Sequence, residues 1–234
     1  MSFANKKNLF IPTPEVKIIS YEQLKDNPIF KANKKPFEWG VDDEVLFAHL
    51  YKETLQLAQK DKPFFLSLLT LDTHFPTGYL PPKYNVTPEE YYPKVLELTD
   101  KRITQFVHWL QQQPFGKNTT LIIVGDHLTM PNQLHNQLTK FNGQDPICGR
   151  RTTYNCFINS AVTPSKKTNR IFATFDLTPT ILHAAGANWW SNKFNLGVSL
   201  FGKSKTLLEE KGIPWYEEHS LRYQKEYIDM ISFP

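Results

Sequence analysis

The sequence predicts an α/β fold organised around a parallel βαβ core, and three observations carry that prediction. Phe64–Leu71 and Thr119–Val124 are short, unbroken apolar runs with turn residues at both ends, the pattern of strands buried on both faces. Between them Val95, Leu98, Ile103, Phe106, Val107 and Leu110 recur at helical spacing. The 234 residues are 40% apolar and 21% charged, enough to bury a core and to exclude wholesale disorder. A strand–helix–strand succession of this kind is nearly always right-handed, with its strands parallel.

Taken in order, residues 1–38 form an irregular segment, because Pro12, Pro14, Pro28 and Pro36 interrupt any long element. Within it Ser20–Leu24 caps and begins a short helix. Residues 39–234 form the α/β portion, and no repeat or linker divides it. Asp42 is an N-cap for a helix that carries Val45, Leu46, His49, Leu50, Leu55 and Leu57 up to Lys60. The strand Phe64–Leu71 ends in Asp72-Thr73-His74-Phe75-Pro76, and a Pro/Tyr-rich loop follows over Gly78–Pro88. Pro88-Glu89-Glu90 opens the long helix, with proline in the first turn and carboxylates at the positive end of the dipole. Pro114 and Gly116 stop it.

The second strand, Thr119–Val124, ends at Gly125-Asp126-His127. Tyr154–Ser160 alternates as a strand. Asp176–Ala185 is a helix closed by Gly186. Asn195–Gly202 and the tail through Trp215-Tyr216 are expected to wrap the sheet edge.

Composition excludes several functions. The net charge of +4 is mild, and the basic patches at Lys31–Lys35, Arg150–Arg151 and Lys166–Arg170 are too sparse for a nucleic-acid stripe. The longest apolar stretch, Pro63–Leu71, is about half the ~20 residues that a membrane span requires. The opening MSFANKKNLFIPTPEVK has no continuous apolar region of the signal-peptide kind. Cys148 and Cys156 are compatible with a hairpin disulfide or with two buried thiols, and no Cys/His spacing suggests structural zinc.

Ligands of open parallel sheets bind beyond the carboxyl ends of the strands. Both predicted strands deliver polar side chains there: Asp72, Thr73 and His74 after the first, Asp126 and His127 after the second. A carboxylate with imidazoles suits a divalent cation, since oxygen and nitrogen donors both bind it. His49, His108, His135, His183 and His219 read as ordinary surface or core residues, and Asp100 as structural or solvated.

The segments Leu69–Pro76 (LTLDTHFP), Pro114-Phe115, Thr119–His127 (TTLIIVGDH), Phe175–Leu182 (FDLTPTIL) and Gly197–Leu200 (GVSL) resemble, in order and spacing, the C-terminal part of the sulfatase/alkaline-phosphatase superfamily. Trp39-Gly40-Val41-Asp42-Asp43 and the THFP loop resemble its phosphoglycerol transferase branch, which contains lipoteichoic acid synthase and the periplasmic-glucan enzymes. Asp126-His127-Leu128 with Met130 and Asn132 is similar to the glucan enzymes in particular. The likeness runs from about residue 20 onward.

This resemblance implies an alkaline-phosphatase-like fold, incomplete at its N-terminus. It implies a divalent metal (Mn, Mg or Zn) on Asp126 and His127, and His74 near the substrate phosphate. In such enzymes a threonine or serine attacks a phosphodiester, and the glycerol phosphate passes to a hydroxyl of an envelope glycan or lipid. The family is anchored in the inner membrane with an extracytoplasmic catalytic domain. The nucleophile motif and the membrane helices match nothing in these residues; Thr73 and Thr129 flank the candidate site without any mark of activation. The expectation is therefore a chain that is inactive alone and completed by the missing N-terminal half. A non-catalytic fragment or a binding or complementing module, or a sulfatase or phosphoethanolamine transferase relative, is the alternative.

Overall fold

Asp42 starts the first long helix: its buried carboxylate accepts the Val45 N–H at 3.2 Å, satisfying one of the amides that a helix start leaves open. The computed structural model describes residues 16–33, 40–60, 62–128, 130, 152–188, 191 and 193–220. Trp39, Thr129, Asn132, His135, Cys148 and the Arg150–Arg151 pair lie outside them. By its internal contacts the chain divides into two units, Met1–Lys117 with His127–Thr152, and Asn118–Asp126 with Thr153–Pro234.

The first unit is helical among the described residues. Short helices α1 (Tyr21–Leu24) and α2 (Pro28–Asn33) precede α3 (Asp43–Ala58) and α4 (Pro88–Gln112). Ser20 and Gln23 form a capping box at α1, and Thr87 and Glu90 form another at α4, where Pro88 occupies the first turn. Leu24, Phe30, Val41 and Val45 make one apolar cluster, and Leu80, Val95 and Leu98 make a second. Side chains as fully buried as Val45 and Val95 each contribute about 1.5–3 kcal/mol. Tyr51 of α3 meets Phe106 and Trp109 of α4 edge to face, at centroid distances of 5.2 and 4.8 Å.

In the second unit β1 (Leu121–Val124) pairs with β2 (Asn155–Ile158) in antiparallel register, Leu121 opposite Ile158 and Val124 opposite Asn155. A short 3-10 turn then leads into α5 (Leu177–Ala184), which ends at Gly186 as its sequence predicts. Fully buried Asp176 accepts the amide N–H of Val198 at 2.8 Å and that of Ala173 at 3.0 Å. Thr180 donates to the Asp176 carbonyl and accepts from the Leu200 amide at 3.0 Å. The FDLTPT and GVSL segments are thus one interlocked structural element. A Cβ at Gly197 would stand 2.2 Å from the Phe175 carbonyl oxygen, so only glycine fits that approach.

Two expectations change. Phe64–Leu71 joins no strand ladder among the described residues, and the strand pair that forms is antiparallel. Phe65 is 79% exposed rather than buried. The amides of Leu71 and Asp72 are captured by the Asp43 carboxylate, at 2.7 and 3.3 Å, in place of a strand neighbour. The tail does not merely wrap an edge either: it forms α6 (Leu207–Lys211) and α7 (Ile213–Ser220). Thr206 and Glu209 cap α6, and Arg170 clasps Glu209 through two nitrogens, at 2.7 and 2.9 Å. No described helix is long and apolar enough to cross a membrane.

Candidate functional site

His74 sits on a loop whose backbone is bonded at nearly every residue. The Leu71 and Asp72 amides go to Asp43, and the Leu71 carbonyl accepts the His74 amide at 3.1 Å. The Asp72 carbonyl accepts the Tyr79 amide at 2.7 Å, and the His74 carbonyl accepts the Gly78 amide at 2.9 Å. Tyr92 donates to the Thr73 carbonyl at 3.0 Å, and the Leu80 amide donates to the Tyr91 hydroxyl at 2.9 Å. Beneath the loop the Asp72 carboxylate, 1% exposed, meets Arg102 at 3.4 Å. Burial, with Asp42 and Asp72 close by, pushes the Tyr79 hydroxyl well above its ordinary pKa and keeps it protonated.

The imidazole of His74 is oriented by its own neighbour. Nδ1 lies 2.7 Å from the Phe75 carbonyl oxygen, which can only accept, so Nδ1 carries the hydrogen. In the neutral ring the lone pair is therefore on Nε2. His127 repeats the arrangement, with Nδ1 2.8 Å from the Leu128 carbonyl oxygen. A ring held by one nitrogen on a carbonyl, with the other as the donor atom, is the usual state of a metal-binding histidine. Both Asp126 and His127 are exposed where the chain leaves β1.

Asp126 and His127 are adjacent only along the chain, Asp126 ending a segment of the second unit and His127 beginning one of the first; His74 lies on its own loop in the first unit. Within each unit, the described residues hold no group of three or more His, Cys, Asp or Glu side chains arranged for a metal ion. Asp126 supplies an oxygen donor and His127 a nitrogen donor, side-chain types that hard-to-borderline divalent cations accept. Beside the loop, a cavity of about 320 Å3 is lined by Pro76, Thr77, Val86, Pro88, Tyr91 and Tyr92. Among the described residues its lining is apolar and aromatic, with the hydroxyls of Thr77, Tyr91 and Tyr92 as its polar side-chain groups.

Three of the other histidines have plain structural surroundings. His108 is exposed, His183 Nδ1 meets the Ser199 hydroxyl at 2.9 Å, and His219 Nδ1 meets the Trp215 carbonyl at 2.8 Å. Asp100 is solvated. Cys156 is half-buried on β2. Sequence reasoning did not identify the parts played by Asp43, Tyr91, Tyr92 and Arg102; the paired tyrosines directly after the Pro88-Glu89-Glu90 helix start were the available signal.

Comparison with known proteins bears on the same residues. The profile of the sulfatase family matches residues 13–187. A phosphoglycerol transferase I of Xanthomonas axonopodis pv. citri (strain 306) is 30% identical over 153 residues, 62% of this chain and 20% of that protein. The phosphoglycerol transferase I of Shigella flexneri is 26% identical over 190 residues, 76% of this chain and 23% of that protein. The chain thus spans about a fifth of the length of these relatives. With the family profile covering well over half of its residues, the chain belongs to the sulfatase family.

Proposed function

We propose that the chain takes part in metal-assisted transfer of phosphoglycerol to an envelope glycan or lipid. In this reading Asp126 and His127 ligate a divalent cation, and His74 contacts the phosphate of the transferred group. The observation that carries it is the exit of β1, where an exposed carboxylate precedes an imidazole whose Nδ1–H is held by the Leu128 carbonyl. When bound, the metal would supply positive charge for phosphoryl oxygens and lower the pKa of an attacking hydroxyl. The chain's own residues bind and orient. Asp126 brings a carboxylate, His127 an Nε2 lone pair, and His74 a ring whose tautomer is fixed, able to accept a proton at Nε2 and donate it to an oxygen. Residues 39–234 would then be the C-terminal portion of a catalytic domain that works at the outer face of the inner membrane, completed by an N-terminal half with the nucleophile.

Calorimetric titration of the 234-residue chain with Mn2+ tests the ligand assignment. Asp126→Ala and His127→Ala should each weaken binding at least tenfold; undiminished affinity in both would refute it. On a phosphoglycerol donor the chain alone should give no turnover. Metal-dependent release that disappears in Asp126→Ala would show that these residues suffice.

A further inference from the structure

The hydrogen bonds around residues 71–80 run to two helices, and that arrangement bears on His74. Asp43 stands in the first turn of α3, is fully buried, and takes the amides of Leu71 and Asp72 on one oxygen. Tyr92, buried on α4, donates to the carbonyl of Thr73, the residue immediately before His74. The two helices pack against each other through Tyr51, Phe106 and Trp109. The backbone entering His74 is therefore tied on both sides to a rigid pair. A local chain reversal alone does not require these ties: the Leu71 carbonyl, the His74 amide and the Gly78 amide close the turn by themselves.

We propose that Asp43 and Tyr92 are positioning residues for His74. They fix the plane of the peptides that lead into it, so that its Nδ1–H stays on the Phe75 carbonyl and its Nε2 is presented as the acceptor. The inference rests on the reading of His74 as the phosphate-contacting group, and it deepens that reading. Holding a reactive ring in one tautomer and one aim before substrate arrives is how a site avoids reorganisation during the reaction. The tie to Asp43 is charge-assisted and buried, the kind of hydrogen bond that tolerates least misplacement.

The test is long-range 1H–15N correlation of the histidine rings in the labelled 234-residue chain, at a pH where imidazoles are neutral, with His74→Gln identifying the His74 signals. Wild type should show His74 predominantly as the Nδ1–H form. Asp43→Ala and Tyr92→Phe should each raise the Nε2–H fraction, whereas Asp43→Asn, whose amide oxygen can accept the same two N–H groups, should restore the wild-type pattern. A merely structural role would lower the melting temperature without moving the tautomer of the folded molecules. If Asp43→Ala does not fold, Tyr92→Phe decides, because it removes one hydroxyl and keeps the ring. A wild-type tautomer pattern in the folded variants overturns the proposal. Titration with glycerol 1-phosphate separates this from the underlying reading. His74 signals that ignore the ligand in wild type count against the phosphate role. Signals that respond in wild type, with affinity about tenfold weaker in Asp43→Ala, support both.

Discussion

Asp176 Oδ1 accepts the amide N–H of Val198 at 2.8 Å, and this bond makes one structural unit of two segments twenty-two residues apart in the chain. Its second oxygen takes the Ala173 amide, so a single fully buried carboxylate closes the 3-10 turn before α5 and anchors the irregular stretch after it. Burial is the main influence on its carboxyl and raises its pKa; the two amides and nearby Arg170 act in the opposite direction without overcoming it.

Replacing Asp176 with Ala leaves both amides without their acceptor in a buried setting and should cost about 3 kcal/mol. Asp176→Asn keeps one acceptor oxygen and should cost less. A carboxyl with a raised folded pKa contributes stability that is complete below its ordinary value of 3.8 and is lost as pH rises through the folded value. The Asn variant should therefore show a flatter stability–pH curve just above 3.8. Urea denaturation of both variants across the acid range measures the slope, and an unchanged slope would refute the assignment.

Arg170 is the complementary case. It clasps Glu209 and also donates to the carbonyls of Leu200, Gly202 and Ser204, at 3.1, 3.2 and 2.7 Å. Burial pushes the Glu209 carboxyl up, but the Arg170 fork and the Thr206 amide outweigh it, so its pKa lies below the ordinary range. Lysine has one nitrogen and no fork. Arg170→Lys should therefore cost about 2 kcal/mol, and Arg170→Ala about 3–5 kcal/mol, as expected when a largely buried pair loses one member. Equal denaturation midpoints for Lys and wild type would show that the fork carries no stability.

These two anchors show how far the sequence was legible. The FDLTPT and GVSL segments stand out as motifs, but that they bond to each other depends on a contact between residues far apart in sequence, and no local periodicity encodes it. β1 was legible because Leu121-Ile122-Ile123-Val124 is β-rich and its partner lies in another short apolar run. Phe64–Leu71 has an equally apolar pattern, but such a run specifies burial without specifying a neighbour, and here the Leu71 amide is bonded to Asp43 instead. The tail helices carried a signal that was overlooked: Thr206 three residues before Glu209 is a capping box. At the candidate site, the position of Asp126 and His127 just beyond a strand was legible from the apolar run before them. Asp43 and Tyr92 were not, because their bonds to the His74 loop span 28 and 19 residues.

His49 offers a pH test in the first unit. Burial is the main cause that depresses its pKa below the ordinary 6.5, with Lys52 adding to it. Its Nδ1 has no hydrogen-bond partner among the described residues. A histidine whose folded pKa is depressed contributes stability that is present above 6.5 and lost as pH falls through the folded value, because the unfolded chain takes the proton more readily. Thermal melts at pH 7.5 and 5.5 should show a drop in wild type that shrinks in His49→Leu. An equal drop in the two proteins would assign the pH dependence to other groups.

Gly78 is where the His74 loop turns back toward α4. Its φ is +71°, a region that residues with a Cβ rarely adopt, and a Cβ built there would lie 2.7 Å from the Asp72 carbonyl oxygen. That carbonyl is the acceptor for the Tyr79 amide, so any shift that relieves the clash weakens the bond closing the loop. Gly78→Ala should therefore cost about 1–3 kcal/mol. The loss should be concentrated in the loop, because the α3–α4 contacts through Tyr51 and Trp109 do not involve it. Amide exchange distinguishes the two possibilities. Tyr79 and His74 should exchange faster in the variant while the α4 amides around Phe106 keep their protection. Uniform acceleration across α4 would mean that the loop and the helix pair open as one cooperative unit, and unchanged exchange at Tyr79 would mean that the turn tolerates a side chain.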